Sequence, residues 1–154
     1  MRTTMNDAEI GVYFDECAQQ GFMASFSPDE ESKLDALFRL WNIESGYSLV
    51  EPGCGSGRLT ERLARAVEPN GIVYAFDLSA EMISRALARK LPGHVRFVRD
   101  SVENIQTDDA IFDMAICFSV FPHFSTPERA LLELHRVLKP GGSLWINHLK
   151  DRST

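Results

Sequence analysis

Short apolar runs alternate with helically spaced apolar positions along most of the chain. Residues 47–51 read as a strand, and residues 57–67 as a helix turning Leu59, Leu63, Ala66 and Val67 inward. Residues 72–77 read as a second strand. Ser79 then caps a helix carrying Met82, Ile83, Ala86 and Leu87, ended by Pro92-Gly93. Residues 95–99 form a third strand, and residues 102–105 at most a helical turn. Residues 111–119 are a fourth strand. Thr126-Pro127-Glu128 opens a helix with Leu131, Leu134, Val137 and Leu138 inward, which Lys139-Pro140-Gly141-Gly142 closes, and residues 143–148 are the last strand. Strands that are apolar throughout are buried on both faces, as in a parallel sheet covered by helices. Right-handed crossovers then fix the winding.

Upstream the pattern is weaker. Residues 1–26 carry Tyr13, Phe14, Phe22, Met23 and Phe26 and read as a partly helical arm folded over something. Ser27-Pro28-Asp29-Glu30 has the residues of a capping box, and Leu34, Leu37, Phe38 and Trp41 follow on one helical face, with Gly46 as the stop. No linker divides the 154 residues, which predicts a single domain: an arm or cap over residues 1–45 and a ligand-binding core over residues 46–149.

Composition narrows the field without choosing within it. Net charge is −6, so no overall basic field would collect nucleic acid or an anionic membrane. Cys17, Cys54 and Cys117 are scattered and odd in number, which suggests neither a disulfide framework nor a metal site and suits a reducing, cytoplasmic compartment. The first residues lack the apolar core of a signal peptide, and no apolar run reaches the ~20 residues that span a bilayer.

The chemistry concentrates in Leu49-Val50-Glu51-Pro52-Gly53-Cys54-Gly55-Ser56-Gly57. A strand ends in a carboxylate, three glycines follow at alternate positions, and a helix begins. Such a loop lets a ligand lie on the main chain, and the helix directs free N–H groups at it. Acids also follow the next two strands, Asp77 and Asp100, so three strand ends would line one crevice. Asp77 is placed to accept from both hydroxyls of a ribose, an argument that serves a nicotinamide dinucleotide equally. Two details discriminate. The spacing is Gly-x-Gly-x-Gly, and Glu51 would face a pyrophosphate at a few ångströms in a partly dry site. A ligand with a cationic tail and no phosphate is favoured instead, and S-adenosyl-L-methionine has that character.

These segments resemble the class I S-adenosylmethionine-dependent methyltransferases of the small-molecule kind called type 11. The likeness rests on Val50-Glu51-Pro52-Gly53-Cys54-Gly55-Ser56-Gly57, Val73-Tyr74-Ala75-Phe76-Asp77-Leu78-Ser79, Phe97-Val98-Arg99-Asp100-Ser101, Phe112-Asp113-Met114-Ala115-Ile116-Cys117 and Leu134-His135-Arg136-Val137-Leu138-Lys139-Pro140-Gly141-Gly142. It implies a Rossmann-like doubly wound parallel sheet of strand order 3-2-1-4-5 with helices on both faces, and methyl transfer to a small molecule by in-line displacement. It also implies roles. Glu51, Gly53, Cys54, Gly55 and Gly57 would hold the methionine moiety, Asp77 the ribose, Leu78 the adenine face, and Asp100 with Ser101 the adenine amino group. Phe118 and Ser119 would lie near the methyl group. The resemblance also implies a carboxyl-terminal antiparallel hairpin, which is lacking here, so residues 144–149 are expected to form an uncovered apolar edge strand. Either a second copy closes that edge, or another polypeptide supplies the missing part, or the chain is a truncated product; self-association through the edge is the expectation to test.

Blander readings stay open beside these. Glu51 as a solvated strand end, Asp77 as a helix cap, and Phe118, Phe121 and Phe124 as core rather than cage all satisfy the sequence. Cys54 reads as a small filler. Tyr13 could close over the cofactor. His123 and His148, at or after strand ends, are either surface residues or groups able to take a proton from an acceptor, and no catalytic residue is named. A noncatalytic cofactor-binding or assembly module is the alternative function.

Overall fold

Each apolar run becomes a strand, and all five strands pair in parallel. The computed structural model describes residues 4–21 and 24–149. Its elements are α1 (Asp7–Gln19), α2 (Pro28–Trp41), β1 (Ser48–Pro52), α3 (Arg58–Val67), β2 (Ile72–Asp77), α4 (Ala80–Ala88), β3 (Val95–Arg99), β4 (Phe112–Phe118), α5 (Pro127–Val137) and β5 (Leu138–Asn147). The sheet order is β3-β2-β1-β4-β5. Phe22, Met23 and the last residues, 150–154, lie outside the described residues.

Alternate residues of the same strand enter two separate cores. Leu49, Val73, Ala75, Met114 and Ile116 pack with Leu59, Leu63 and Val67 of α3, Leu34 and Trp41 of α2, and Ile83 of α4. Their neighbours Val50, Tyr74, Phe76, Ala115 and Cys117 pack with Ala130, Leu134 and Val137 of α5. Two-sided burial explains why these strands read as continuous apolar runs. One crossover has no helix. Residues 100–111 link β3 to β4 through a turn closed by a Ser101–Asn104 bridge.

Local signals placed most starts well and some stops poorly. Ser27 accepts from the Glu30 N–H at 3.2 Å and Glu30 accepts from the Ser27 N–H at 3.0 Å, a complete capping box. The helix stops at Trp41 on a left-handed Asn42, not at Gly46. Gly46 instead donates to Val67 O and closes the approach to β1. Leu87 and Leu131, expected inward, are 58% and 39% exposed, because Met82, Ile83 and Ala86, and Ala130, Leu134 and Val137, fill the inner faces. The last strand starts earlier than expected, at Leu138. Its register against β4 shifts where Lys139 to Gly142 loop out.

Candidate functional site

β1 lies between β2 and β4, so the strand order reverses there. That reversal opens a crevice beyond the carboxyl ends of the strands, the general ligand position of such sheets. A cavity of about 210 Å³ occupies it. Glu51, Gly53, Cys54 and Gly55 line it from β1 and its loop, Asp77 and Leu78 from the end of β2, Asp100 from β3, and Phe118 and Ser119 from β4. Gly57 and Ser101 do not line it.

The three loop glycines all have positive φ, at 65°, 56° and 85° for Gly53, Gly55 and Gly57, yet they serve different ends. A Cβ on Gly53 would stand 2.1 Å from Val120 Cγ2, and one on Gly57 2.9 Å from Phe97 Cζ. Both glycines let the protein pack on itself. At Gly55 the nearest atom would be Met82 Sδ at 4.0 Å, so only there does bare backbone face open space. The bare-backbone cradle expected of all three is confined to Gly55.

Glu51 is not a solvated strand end. It is 3% exposed, and Thr60 Oγ1 donates to its Oε1 at 2.6 Å. Burial pushes its carboxyl up to about 8, with the Asp77 charge adding to the effect and the Thr60 hydrogen bond and Arg58 opposing it. Asp77 is also buried, and burial raises its pKa against the backbone N–H groups that stabilise its charge. Its Oδ2 accepts from Gly55 N at 2.9 Å and its Oδ1 from Ser79 N at 2.9 Å. The carboxylate therefore braces both loops, and Ser79 caps α4. Asp100 accepts from Ser101 N, Gln106 N and the Tyr74 hydroxyl, which fixes the turn after β3.

The amino-terminal helix roofs the crevice. Ile10, Tyr13 and Phe14 of α1 line the cavity. Asp7 accepts from the hydroxyls of Ser101 and Ser125, on the loops after β3 and β4. Asp15 accepts from the Ser79 hydroxyl and from Glu81 N, at the start of α4. Gly11 allows the close approach, since a Cβ there would lie 3.1 Å from Leu78 O. Local reasoning missed Asp7, Asp15 and Gly11, because their partners are 60 to 120 positions away and no spacing rule links them. It also passed over Arg58, although that residue directly follows the glycine loop. Arg58 lines the cavity, and its guanidinium lies 4.0 Å from the centre of the Phe26 ring, donates to Ser25 O at 3.2 Å and stands 3.8 Å from Glu30.

The remaining candidates divide. Phe118 and Phe124 line the cavity and Phe121 does not, although it stacks edge-on against Phe124. Cys54 is buried and its thiol pKa is pushed well up, as for an inert filler. His94 contacts Ala64 O at 2.9 Å from Nε2. His123 lines the cavity. Among the described residues no group of side chains has the makings of a metal site, and no helix is long and apolar enough to cross a membrane.

Comparison with known proteins gives a consistent picture. The family model described as a methyltransferase domain matches residues 50–146. A 2-phytyl-1,4-naphtoquinone methyltransferase of Nostoc punctiforme is 37% identical over 102 residues, 64% of this chain and 44% of that one. Among solved structures, a SAM dependent methyltransferase from Aquifex aeolicus superposes with a TM-score of 0.65 at 25% identity, covering 75% of this chain and 69% of that one. The [4+2]-cyclase SpnF superposes with a TM-score of 0.79 at 23% identity, over 92% of this chain and 59% of that one, a likeness of fold. The chain spans between 31% and 49% of the length of the curated relatives it matches.

Proposed function

This chain belongs to the methyltransferase domain family, and from that premise we propose that its crevice binds S-adenosyl-L-methionine and that it transfers the methyl group to a small-molecule acceptor. The observation that carries the reading is a buried carboxyl, Glu51, beside Gly55, the glycine of its loop whose backbone faces open space, with the braced carboxylates Asp77 and Asp100 at the neighbouring strand ends. The naphthoquinone methyltransferase among the relatives supports a small organic acceptor.

The residues present fit this cofactor. Gly55 leaves room on the main chain for an amino-acid tail. Glu51 would take its ammonium group and Arg58 its carboxylate, so a zwitterion meets one charge of each sign. Asp77 would accept from the ribose hydroxyls with the lone pairs its backbone bonds leave free. Leu78 would pack on the adenine face and Asp100 would accept from the adenine amino group. Gly53, Gly57 and Cys54 set the loop's shape, and Ser101 acts through Asp7 by holding the roof in place. Phe118 would border the methyl group. When bound, the cofactor supplies an electrophilic methyl on a sulfonium, an excellent leaving group. The chain's own work is then to align the acceptor and exclude water, which α1 does from above with Tyr13 and Phe14.

Asp77→Ala is expected to weaken binding of S-adenosylhomocysteine by ~1–3 kcal/mol, the cost of leaving hydroxyls and loop N–H groups unmet. Titration calorimetry checks this, with a thermal melt as the folding control. Unchanged affinity would remove Asp77 from the site. A second expectation concerns assembly. Among the described residues β5 pairs with β4 alone, and Ile146 on it is 39% exposed. An open apolar edge is a template for pairing, so two copies of this chain are expected to associate along β5. Light scattering should show a mass that rises with concentration and falls in Ile146→Lys, whereas a monomer at high concentration would refute the pairing.

A further inference from the structure

Resting on the reading above, we propose that His123 is the general base that takes the proton of a hydroxyl acceptor, which makes the acceptor a phenol-like or enol-like molecule rather than a carboxylate. His123 ends the short 3-10 turn Phe121–His123 that follows β4. That turn is fixed at the amino-acid end of the crevice, because Val120 fills the space over Gly53 left by its missing side chain. The chain reaches it through Ser119, whose φ of 56° is unusual for a residue with a side chain. Such backbone persists where the surroundings enforce it, here through the Ser119 N–H donating to Asn147 O at 2.7 Å. From above, the Phe14 ring meets the imidazole edge-on, with centroids 5.4 Å apart. The backbone turn is thus fixed and the ring meets Phe14 at the cavity wall, while the residue stays open to solvent, so an accepted proton has water to leave to.

The other titratable groups facing the cavity are otherwise engaged. Asp7 on α1 holds two serine hydroxyls, Asp77 and Asp100 brace backbone N–H groups, and Glu51 is bonded to Thr60 and reserved for a cation. Arg58 is already protonated and cannot accept a proton. Tyr13 and Cys54 both have their pKa raised, Tyr13 first by its hydrogen bond with Cys17 and Cys54 first by burial. His148, just past β5, is the charged neighbour that acts on His123. Partial desolvation first, and His148 second, hold the His123 imidazole below its ordinary range, so it is neutral at pH 7 with a nitrogen lone pair free to accept a proton.

The step balances without another reagent. The acceptor oxygen's electron pair forms the new bond to the methyl carbon, the carbon–sulfur bond breaks with its pair passing to sulfur, and the hydroxyl proton passes to His123. A carboxylate acceptor would bring no proton and would leave this histidine idle.

The test uses the full chain loaded with S-adenosylhomocysteine, and 4-nitrophenol as the probe, whose ionised form absorbs visibly. In the wild type the bound probe's ratio of phenolate to phenol at pH 7 should be on the order of tenfold higher than in His123→Gln, the shift an adjacent imidazolium produces. Affinity for S-adenosylhomocysteine should be equal in both. As a readout that needs no variant, the His123 ring resonances in wild-type protein should move toward the protonated form when the probe is added. Equal ionisation in both proteins, unmoved resonances, or failure of the probe to bind overturns the proposal. Failure of S-adenosylhomocysteine to bind the wild type is a different result and overturns the cofactor reading instead.

Discussion

Replacing Glu51 with Gln is expected to stabilise the fold at neutral pH and to weaken cofactor binding, two effects of one buried ionisable carboxyl. The folded carboxyl titrates near 8, against 4.5 for the same group in an unfolded chain. Between those values the folded protein holds a proton that the unfolded chain has released. Stability therefore falls as pH rises through this window, and what the neutral carboxyl contributes below pH 4.5 is lost by pH 8. Gln keeps an acceptor for Thr60 Oγ1 and carries no charge at any pH. At pH 7 the variant should be more stable by ~2–3 kcal/mol, since each pKa unit is worth about 1.4 kcal/mol. The advantage should vanish at pH 4, and urea midpoints across that range measure it. A pH-independent difference would refute the shifted carboxyl.

Binding should show the same proton from the other side. A cationic group beside Glu51 favours its charged form, so S-adenosylhomocysteine should release most of a proton at pH 7 and bind more tightly as pH rises toward 8. Calorimetry in buffers of differing ionisation enthalpy counts that proton. In Glu51→Gln the release should disappear and the affinity should drop by ~1.5–3 kcal/mol, the scale of a hydrogen bond to a charged group. A buried carboxyl whose ionisation costs the fold stability is the arrangement expected where function outweighs stability.

Much of this site was legible because its chemistry sits on local signals. A carboxylate at the end of an apolar strand, glycines at alternate positions and a following amphipathic helix are contiguous in Val50 to Leu63, and the strand order follows from the alternation of elements. Asp77 and Asp100 were visible for the same reason, each one step past an apolar run. Spacing could not reveal the division of labour among the glycines. Whether a missing Cβ makes room for a ligand or for Val120 depends on where the chain returns 67 residues later. The roof was equally hidden. Asp7 and Asp15 look like ordinary acids on a polar helix, and their hydroxyl partners belong to loops of three other crossovers. Helix stops were misread at Gly46 because a left-handed Asn42 ends α2 first, and Leu131 was misread because neighbouring positions on a helix compete for the same inner face.

Gly53→Ala should be the most damaging small substitution in the loop, and comparison with Gly55→Ala shows why. Both positions have positive φ, so each alanine carries a backbone cost of ~1–2 kcal/mol. Only at Gly53 would the new methyl collide, 2.1 Å from Val120 Cγ2 and 2.8 Å from Val120 Cβ. Valine is stiff at χ1, so the clash cannot be relieved by rotating a flexible tip. The segment from Ser119 to His123 must move instead, which adds ~1–3 kcal/mol of overpacking. Gly53→Ala is thus expected to cost ~2–5 kcal/mol of stability, read from urea unfolding, and to loosen the turn that carries His123. Gly55→Ala should cost only the backbone part, yet its methyl projects into the crevice and should weaken S-adenosylhomocysteine binding more than it weakens the fold. The pair Gly53→Ala with Val120→Ala removes the nearer clash but leaves the Val120 Cβ contact, so it should recover part of the lost stability and not all of it. Equal stability of the two single variants would mean that Val120 does not occupy the corner above Gly53, and that corner is what places the post-β4 turn against the glycine loop.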